Sequence, residues 1–158
     1  MDAELARSIW AYNPETGHFY WLVSPRYRIE VGDRAGFFNG KYWILRWRGK
    51  NYKAARVAWL MQTGAWPVGQ IDHKNCDKLD DSFLNLREAS NEQNCCNRRT
   101  RKDNVLGIKG VHEQDGRFIA QIGHKRRVIY LGCYGTPIEA KRAYDAQAAV
   151  LHGEFSRR

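Results

Sequence analysis

Between Lys41 and Arg48 the side chains alternate, with Tyr42, Ile44 and Arg46 on one side and Trp43, Leu45 and Trp47 on the other. That period of two predicts a strand with one face turned inward. Asn39-Gly40 before it is a hairpin signal, and Gly49-Lys50-Asn51 turns the chain after it. Upstream, Glu4 to Trp10 predicts a short helix, Asn13-Pro14-Glu15-Thr16-Gly17 a turn, and His18 to Val23 a strand. The period then changes. Val57, Ala58, Leu60 and Met61 mark an apolar helix face over Ala54 to Gln62, with Gly64 as its stop and Pro67 just beyond. Val68 to His73 reads as extended, Lys74 to Ser82 as a polar loop, and Leu84 to Glu88 as a short strand that Asn85 opens. Ser90 with Gln93 three residues later predicts a capped helix ending near Arg98.

Beyond Asn104 the pattern becomes that of a small separate module. Gly107 to His112 predicts a strand, and Asp115-Gly116 a hairpin turn. Arg117 to Ile122 alternates, with Phe118, Ala120 and Ile122 on one face and Arg117, Ile119 and Gln121 on the other. Gly123 to Arg126 turns, and Arg127 to Gly132 predicts a third strand. Thr136, Pro137 and Glu139 form a capping box ahead of a helix, in which Ala140, Ala143, Tyr144, Ala148 and Leu151 recur at helical spacing. One helix covers one face of three strands and leaves the other open. The class expected is α+β, in a first domain over 1–97, a basic linker over 98–104 and a second domain over 105–156.

Charge sharpens this picture. The 158 residues carry a net charge of +9, with a pI near 9.6. The cations cluster at Arg98, Arg99, Arg101 and Lys102, at Lys125, Arg126 and Arg127, and at Arg157 and Arg158. A polyanion is the natural partner, because neutralising phosphates releases counterions. No apolar run approaches membrane-span length, and Met1-Asp2-Ala3-Glu4 lacks a signal-peptide profile. A reducing, cytoplasmic setting is expected. Cys76, Cys95, Cys96 and Cys133 contain no CxxC pair, so free thiols and no structural zinc are expected. The aromatics Trp10, Tyr12, Phe19, Tyr20, Trp21, Tyr42, Trp43 and Trp47 are assigned to sheet core rather than to base stacking.

The chemistry concentrates in Asp72-His73, Asn85 and Asn94. An acid, an imidazole and two carboxamides suit one hard metal ion and a general base aimed at a phosphodiester. A magnesium-type ion takes oxygen ligands and keeps several waters, and Asp72 and the Asn94 carbonyl oxygen supply two such ligands. Neutral His73 is competent to deprotonate a water near pH 7. All four residues fall on a strand–loop–strand–helix unit, although spacing alone does not bring them to one point.

These residues resemble a known family. Tyr52-Lys53-Ala54, Arg56-Val57-Ala58-Trp59, Gly64-Ala65-Trp66-Pro67, Ile71-Asp72-His73, Asn85-Leu86-Arg87 and Gln93-Asn94 are similar to HNH homing endonucleases of phages and bacteria. Gly110-Val111, Leu131-Gly132, Glu139-Ala140, Ala143-Tyr144-Asp145 and His152-Gly153-Glu154-Phe155 resemble an AP2/ERF DNA-binding domain. The resemblance implies a ββα-metal (His-Me finger) nuclease lobe with N-terminal hairpins, its core at about 68–98, followed by an AP2-like sheet and helix. It implies Asp72 and Asn94 as metal ligands, His73 as general base, and Asn85 as the residue holding His73 or its loop. The cofactor implied is one divalent ion, magnesium with manganese as the alternative, and no small-molecule cofactor. One departure stands out: Ala55 occupies the position where the family has a His.

In the AP2-like part the resemblance implies an exposed sheet face in the DNA major groove, with Lys109, His112, Arg117, Gln121 and Tyr130 as contacts. Arg and Gln suit guanine and adenine respectively. Arg87, Arg98 and Arg99 are candidates for phosphate contact, and Arg101, Lys102, Lys125, Arg126 and Arg127 extend the basic surface. The function expected is a metal-dependent, site-specific endonuclease on double-stranded DNA, monomeric and cytoplasmic in a bacterial or phage-infected cell, and weakened if the missing His had a catalytic role. The alternative is an inactive, sequence-specific DNA-binding regulator derived from a nuclease. An RNA-directed protein is the third reading.

Overall fold

The computed structural model describes residues 1–97, 100, 104–125 and 127–156, without the side chain of Glu154. The basic residues Arg98, Arg99, Arg101, Lys102, Arg126, Arg157 and Arg158 lie outside the described residues. The chain forms two compact units, Met1–Ser90 and Asn91–Arg158.

The first unit opens with α1 (Ala3–Ile9), whose N-cap Asp2 accepts a hydrogen bond from the Leu5 amide. The expected helix stops one residue early. Trp10 instead begins β1 (Trp10–Tyr12), which pairs antiparallel with β2 (Phe19–Trp21). β3 (Phe37–Phe38), β4 (Trp43–Trp47) and β5 (Lys50–Lys53) form a three-stranded antiparallel sheet. In β4 the expected alternation holds only in part: Leu45 is fully buried and Arg46 exposed, but Ile44, on the Arg46 side, is buried as well at 6% exposure. α2 (Ala54–Thr63) ends at Gly64, whose φ of +83° is the left-handed stop glycine supplies readily. Its apolar side enters the core with Trp10, Phe19 and Leu45. Trp10, Trp21 and Trp47 meet one another at centroid distances of 5.8 to 6.4 Å. Arg7 Nε donates to the Met61 carbonyl at 3.1 Å and ties α1 to α2.

β6 (Gln70–His73) and β7 (Leu86–Ala89) form an antiparallel ribbon. A correction falls between them. Asn85 does not open a strand; it ends a 3₁₀ turn over Phe83–Asn85, and β7 starts at Leu86. The local reason is that Asn85 turns both its backbone and its side chain onto the preceding loop.

The second unit begins with α3 (Asn91–Cys96), which stops short of the expected Arg98. β8 (Val111–Gln114), β9 (Arg117–His124) and β10 (Arg127–Tyr134) make an antiparallel sheet in the order β10-β9-β8. The strand expected at Gly107–His112 begins only at Val111, because Gly107 and Gly110 both take positive φ. A Cβ on Gly110 would lie 2.1 Å from the Tyr144 ring, so only glycine permits that approach. α4 (Pro137–His152) opens with the expected capping box. Glu139 N donates to Thr136 Oγ1 at 3.3 Å, and Thr136 N donates to Glu139 Oε2 at 3.1 Å. Val111, Ala120, Ile122, Ala140, Tyr144 and Ala148 are buried as sheet and helix close on each other. All four cysteines are free thiols. Cys96 Sγ lies 3.4 Å from His152 Nδ1, and burial holds the His152 ring below its usual pKa.

Candidate active site

The β6–β7 ladder sets the geometry from which the site grows. Asp72 stands directly opposite Arg87, and His73 opposite Leu86. Cross-strand partners share a face, so Arg87 meets Asp72. Its Nε and one terminal nitrogen donate to Asp72 Oδ2 at 2.9 and 2.8 Å. Both side chains are largely buried, at 11% and 6% exposure. Arg87, expected to bind phosphate, is thus engaged with the acid opposite it.

His73, one residue further on, turns to a different acid. Its Nε2 lies 2.8 Å from Asp81 Oδ1, and both side chains are buried. One proton must sit between these atoms. Placed on Nε2 and donated to Asp81, it leaves the basic lone pair on Nδ1. Burial pushes the Asp81 carboxyl above the usual carboxylate range, against the opposing pull of the His73 hydrogen bond and charge.

Between these residues the loop is closed by side chains. Asn85 Nδ2 donates to the Asp80 carbonyl at 2.8 Å, and its Oδ1 accepts from the Asn75 amide at 3.0 Å. The Lys74 amide donates to the Asn85 carbonyl at 2.9 Å. Asn85 therefore spans both ends of the segment after His73. Asp80 accepts from Ser82 Oγ at 2.6 Å and from Asn75 Nδ2 at 2.7 Å. The Ser82 hydrogen bond is the largest cause holding its carboxyl below the ordinary range.

The N-terminal hairpin props this loop from outside. Tyr12 Oη donates to the Asp81 carbonyl at 2.8 Å, and the Phe83 amide donates to the Pro14 carbonyl at 2.8 Å. Gly17, at φ +73°, lies so close that an added Cβ would sit 2.4 Å from the Asp81 carbonyl carbon. On the other side, Arg56 donates to the Gly69 and Pro67 carbonyls at 2.9 and 3.1 Å, fixing the approach to β6. Sequence reasoning missed Asp81, Tyr12 and Arg56 as parts of this site. The adjacent Asp80-Asp81 pair between His73 and Asn85 was the available signal, but acids in a polar loop read first as turn formers.

Ala55, where the resemblance expects a His, is 6% exposed and belongs to the first unit's hydrophobic core. Asn94 is half-buried on α3, in the second unit. Among the described residues no group of three or more His, Cys, Asp or Glu side chains is placed to hold a metal. A hard ion bound by one or two oxygen ligands and waters needs no such group, and the Asp72 carboxylate, steadied by Arg87, has the donor chemistry for it.

In the second unit, register places His112, Arg117, Gln121 and Tyr130 on the sheet face away from the buried Val111, Ala120 and Ile122. All four are exposed. Lys109 lies before β8 rather than on it, and its ammonium donates to the Cys96 carbonyl, a tie within the second unit. Lys125 lies in the turn between β9 and β10, and Arg127 at the start of β10, both exposed.

A histidine paired with a buried acid at the end of a two-stranded ribbon, with an asparagine closing the loop behind it, is an arrangement that can orient an imidazole as a base. Residues 52–95 match the family model described as HNH endonuclease, which places an HNH endonuclease domain on this stretch. That family implies a phosphodiester hydrolase with DNA as substrate, and its members typically use a divalent metal. Among curated proteins none matches this chain. No helix among the described residues is long and apolar enough to cross a membrane.

Proposed function

We propose that this protein is a metal-dependent, site-specific endonuclease of homing type acting on duplex DNA. The observation that carries the proposal is the buried His73–Asp81 pair inside the matched region. In the proposed step, His73 Nδ1 takes a proton from a water as its oxygen attacks phosphorus. The P–O3′ bond breaks, and the leaving O3′ takes a proton from a second, solvent water, giving a 5′-phosphate and a 3′-hydroxyl. Asp72 is the proposed metal ligand in the first unit. Asp72 and waters would hold a magnesium ion, which would supply stabilisation of the charge developing on the phosphate and the leaving oxygen. Asp81 fixes the imidazole and Asn85 fixes the loop, so that neither must reorganise during reaction.

The sheet of the second unit is proposed as an AP2-like DNA-reading module. Its three antiparallel strands on one helix, with an open face bearing Arg117, Gln121 and Tyr130, support this reading. The rival, an inactive DNA-binding regulator, rests on Ala55. The burial of Ala55 in an apolar core favours a packing role for that position over a catalytic one.

The test is nicking of supercoiled plasmid with magnesium. The parent chain cuts, and His73→Ala lowers the rate by roughly 10²- to 10⁴-fold, the usual worth of a general base. A His73→Ala protein that cuts as fast as its parent sinks the mechanism. Activity that appears only after Ala55→His establishes a disabled nuclease instead.

A further inference from the structure

From residue 34 to residue 71 the chain carries seven Lys or Arg and no Asp or Glu. This stretch includes the whole β3–β4–β5 sheet. Its inner face is core: Leu45 is buried, and Trp43, Trp47 and Tyr52 pack against the same cluster. Register places Phe37, Ile44 and Lys53 side by side, and Arg46 opposite Asn51, on the outer face, where Ile44 is itself covered while Phe37, Arg46, Asn51 and Lys53 are exposed. Tyr42, two residues before Ile44, continues that face.

The outer face gathers cations rather than dispersing them. Lys53, Lys41 and Lys78 lie 4.4, 5.4 and 5.6 Å from the centroid of the single Tyr42 ring. Arg46 lies 5.5 Å from the Phe37 ring and donates to Asn51 Oδ1 at 2.8 Å, which fixes its guanidinium. Lys41, Arg46, Lys53 and Lys78 are all exposed. Three ammonium groups around one ring repel one another, and the ring quadrupole offsets only part of that repulsion. Phosphates spaced along a strand offset the rest.

Lys78 is the connection to the chemistry. It belongs to the loop between His73 and Asn85, yet it reaches the Tyr42 ring on the sheet. The nearest acids in sequence are Asp77, whose Oδ1 accepts from the Leu79 amide, and Asp80, occupied by Ser82 and Asn75. The loop that carries the site and the basic face therefore share one cluster.

We propose that the outer face of the β3–β4–β5 sheet is a backbone-contact surface for duplex DNA beside the cleavage position, with Lys41, Lys53, Lys78 and Arg46 on phosphates. The inference rests on the DNA-directed reading above and adds to it a surface outside the matched domain's catalytic residues. Contacts to phosphate position the duplex and carry no sequence information.

The test measures duplex binding by the full chain in chelator, where no cutting occurs, over a range of salt. The triple variant K41Q/K53Q/K78Q is expected to bind unrelated duplexes about 10- to 100-fold more weakly. Its slope of log K against log salt should fall by up to about 2.7, or roughly 0.9 for each phosphate no longer neutralised. K41R/K53R/K78R should keep the parental affinity and slope, which separates charge from folding. A Gln variant with the parental slope and affinity overturns the proposal, as does duplex RNA competing as well as duplex DNA for the parent. A parent that binds DNA but never cuts it with magnesium defeats the nuclease reading alone. A parent that binds no duplex defeats both.

Discussion

The loop between His73 and Asn85 and the open sheet face of the second unit differ in how the side chains proposed to act in them are held. In the loop nearly every polar group is spoken for: His73 by Asp81, Asn85 by Asp80 and Asn75, and Asp80 by Ser82. Asp72, His73 and Asp81 are buried. On the sheet face, His112, Arg117, Gln121 and Tyr130 stand in solvent. A reacting group must be preorganised because small displacements of it lose rate steeply. A reading group must stay accessible because its partner arrives from outside. Substitutions in the loop should therefore spread through chemistry and fold together, while those on the face should stay local.

The largest break in that contrast, short of removing His73, is Asp81→Asn. The side chain keeps its shape but loses the charge, and its amide can turn a donor toward His73 Nε2 and reverse the tautomer. Cleavage should fall by roughly 10- to 100-fold, the range for a group that orients a site residue. Duplex affinity in chelator should not change. An Asp81→Asn protein with the parental cleavage rate would mean that the 2.8 Å pair has no part in catalysis. A drop in affinity of the same size would assign Asp81 to binding instead.

Gly17→Ala tests the support rather than the chemistry. It adds a Cβ against the Asp81 backbone at 2.4 Å and forces a non-glycine residue to φ +73°. Strain of this kind costs about 1 to 3 kcal/mol, and the hairpin must withdraw from Asp81–Phe83. The expected outcome is a lower melting temperature, together with faster amide exchange at Asp81 to Phe83. If the loop amides keep their parental protection, the hairpin is not what holds the site.

Gly17 also shows why part of the site could not be read from the chain. As a turn residue it was plain, since Asn13-Pro14-Glu15-Thr16-Gly17 is punctuation visible in any sequence. Its contact with Asp81 spans more than sixty residues, and no local period records it. Asp72, His73 and Asn85 were legible because the ribbon and loop that join them are local. The loop that Asn85 closes is local too, although its 3₁₀ turn was not legible. The strands Trp10–Tyr12 and Phe37–Phe38 escaped because two or three residues are too few to show alternation. In the second unit, alternation in β9 and the capping box of α4 made most of the sheet and helix legible. Lys109 falls before the strand because positive φ at Gly110 delays it, and conformation at a glycine leaves no pattern in neighbouring residues.

Gln121→Ala sharpens the other side of the comparison and should have the smallest global effect. Gln121 is exposed at the centre of β9, paired with Tyr130 on the same face, and its loss leaves no buried group unsatisfied. The melting temperature should stay at the parental value. If the face reads bases, discrimination at one base pair of the preferred site should fall by about 1 to 3 kcal/mol, with other positions unchanged. The cleavage rate on saturating substrate should also hold, because Gln121 and the His73 loop belong to separate compact units. The measurement is a comparison of affinities across single-base variants of the preferred duplex. Uniform weakening across all of them would make this face a phosphate contact like the one proposed for the N-terminal sheet. A profile identical to the parent's would remove Gln121 from the interface.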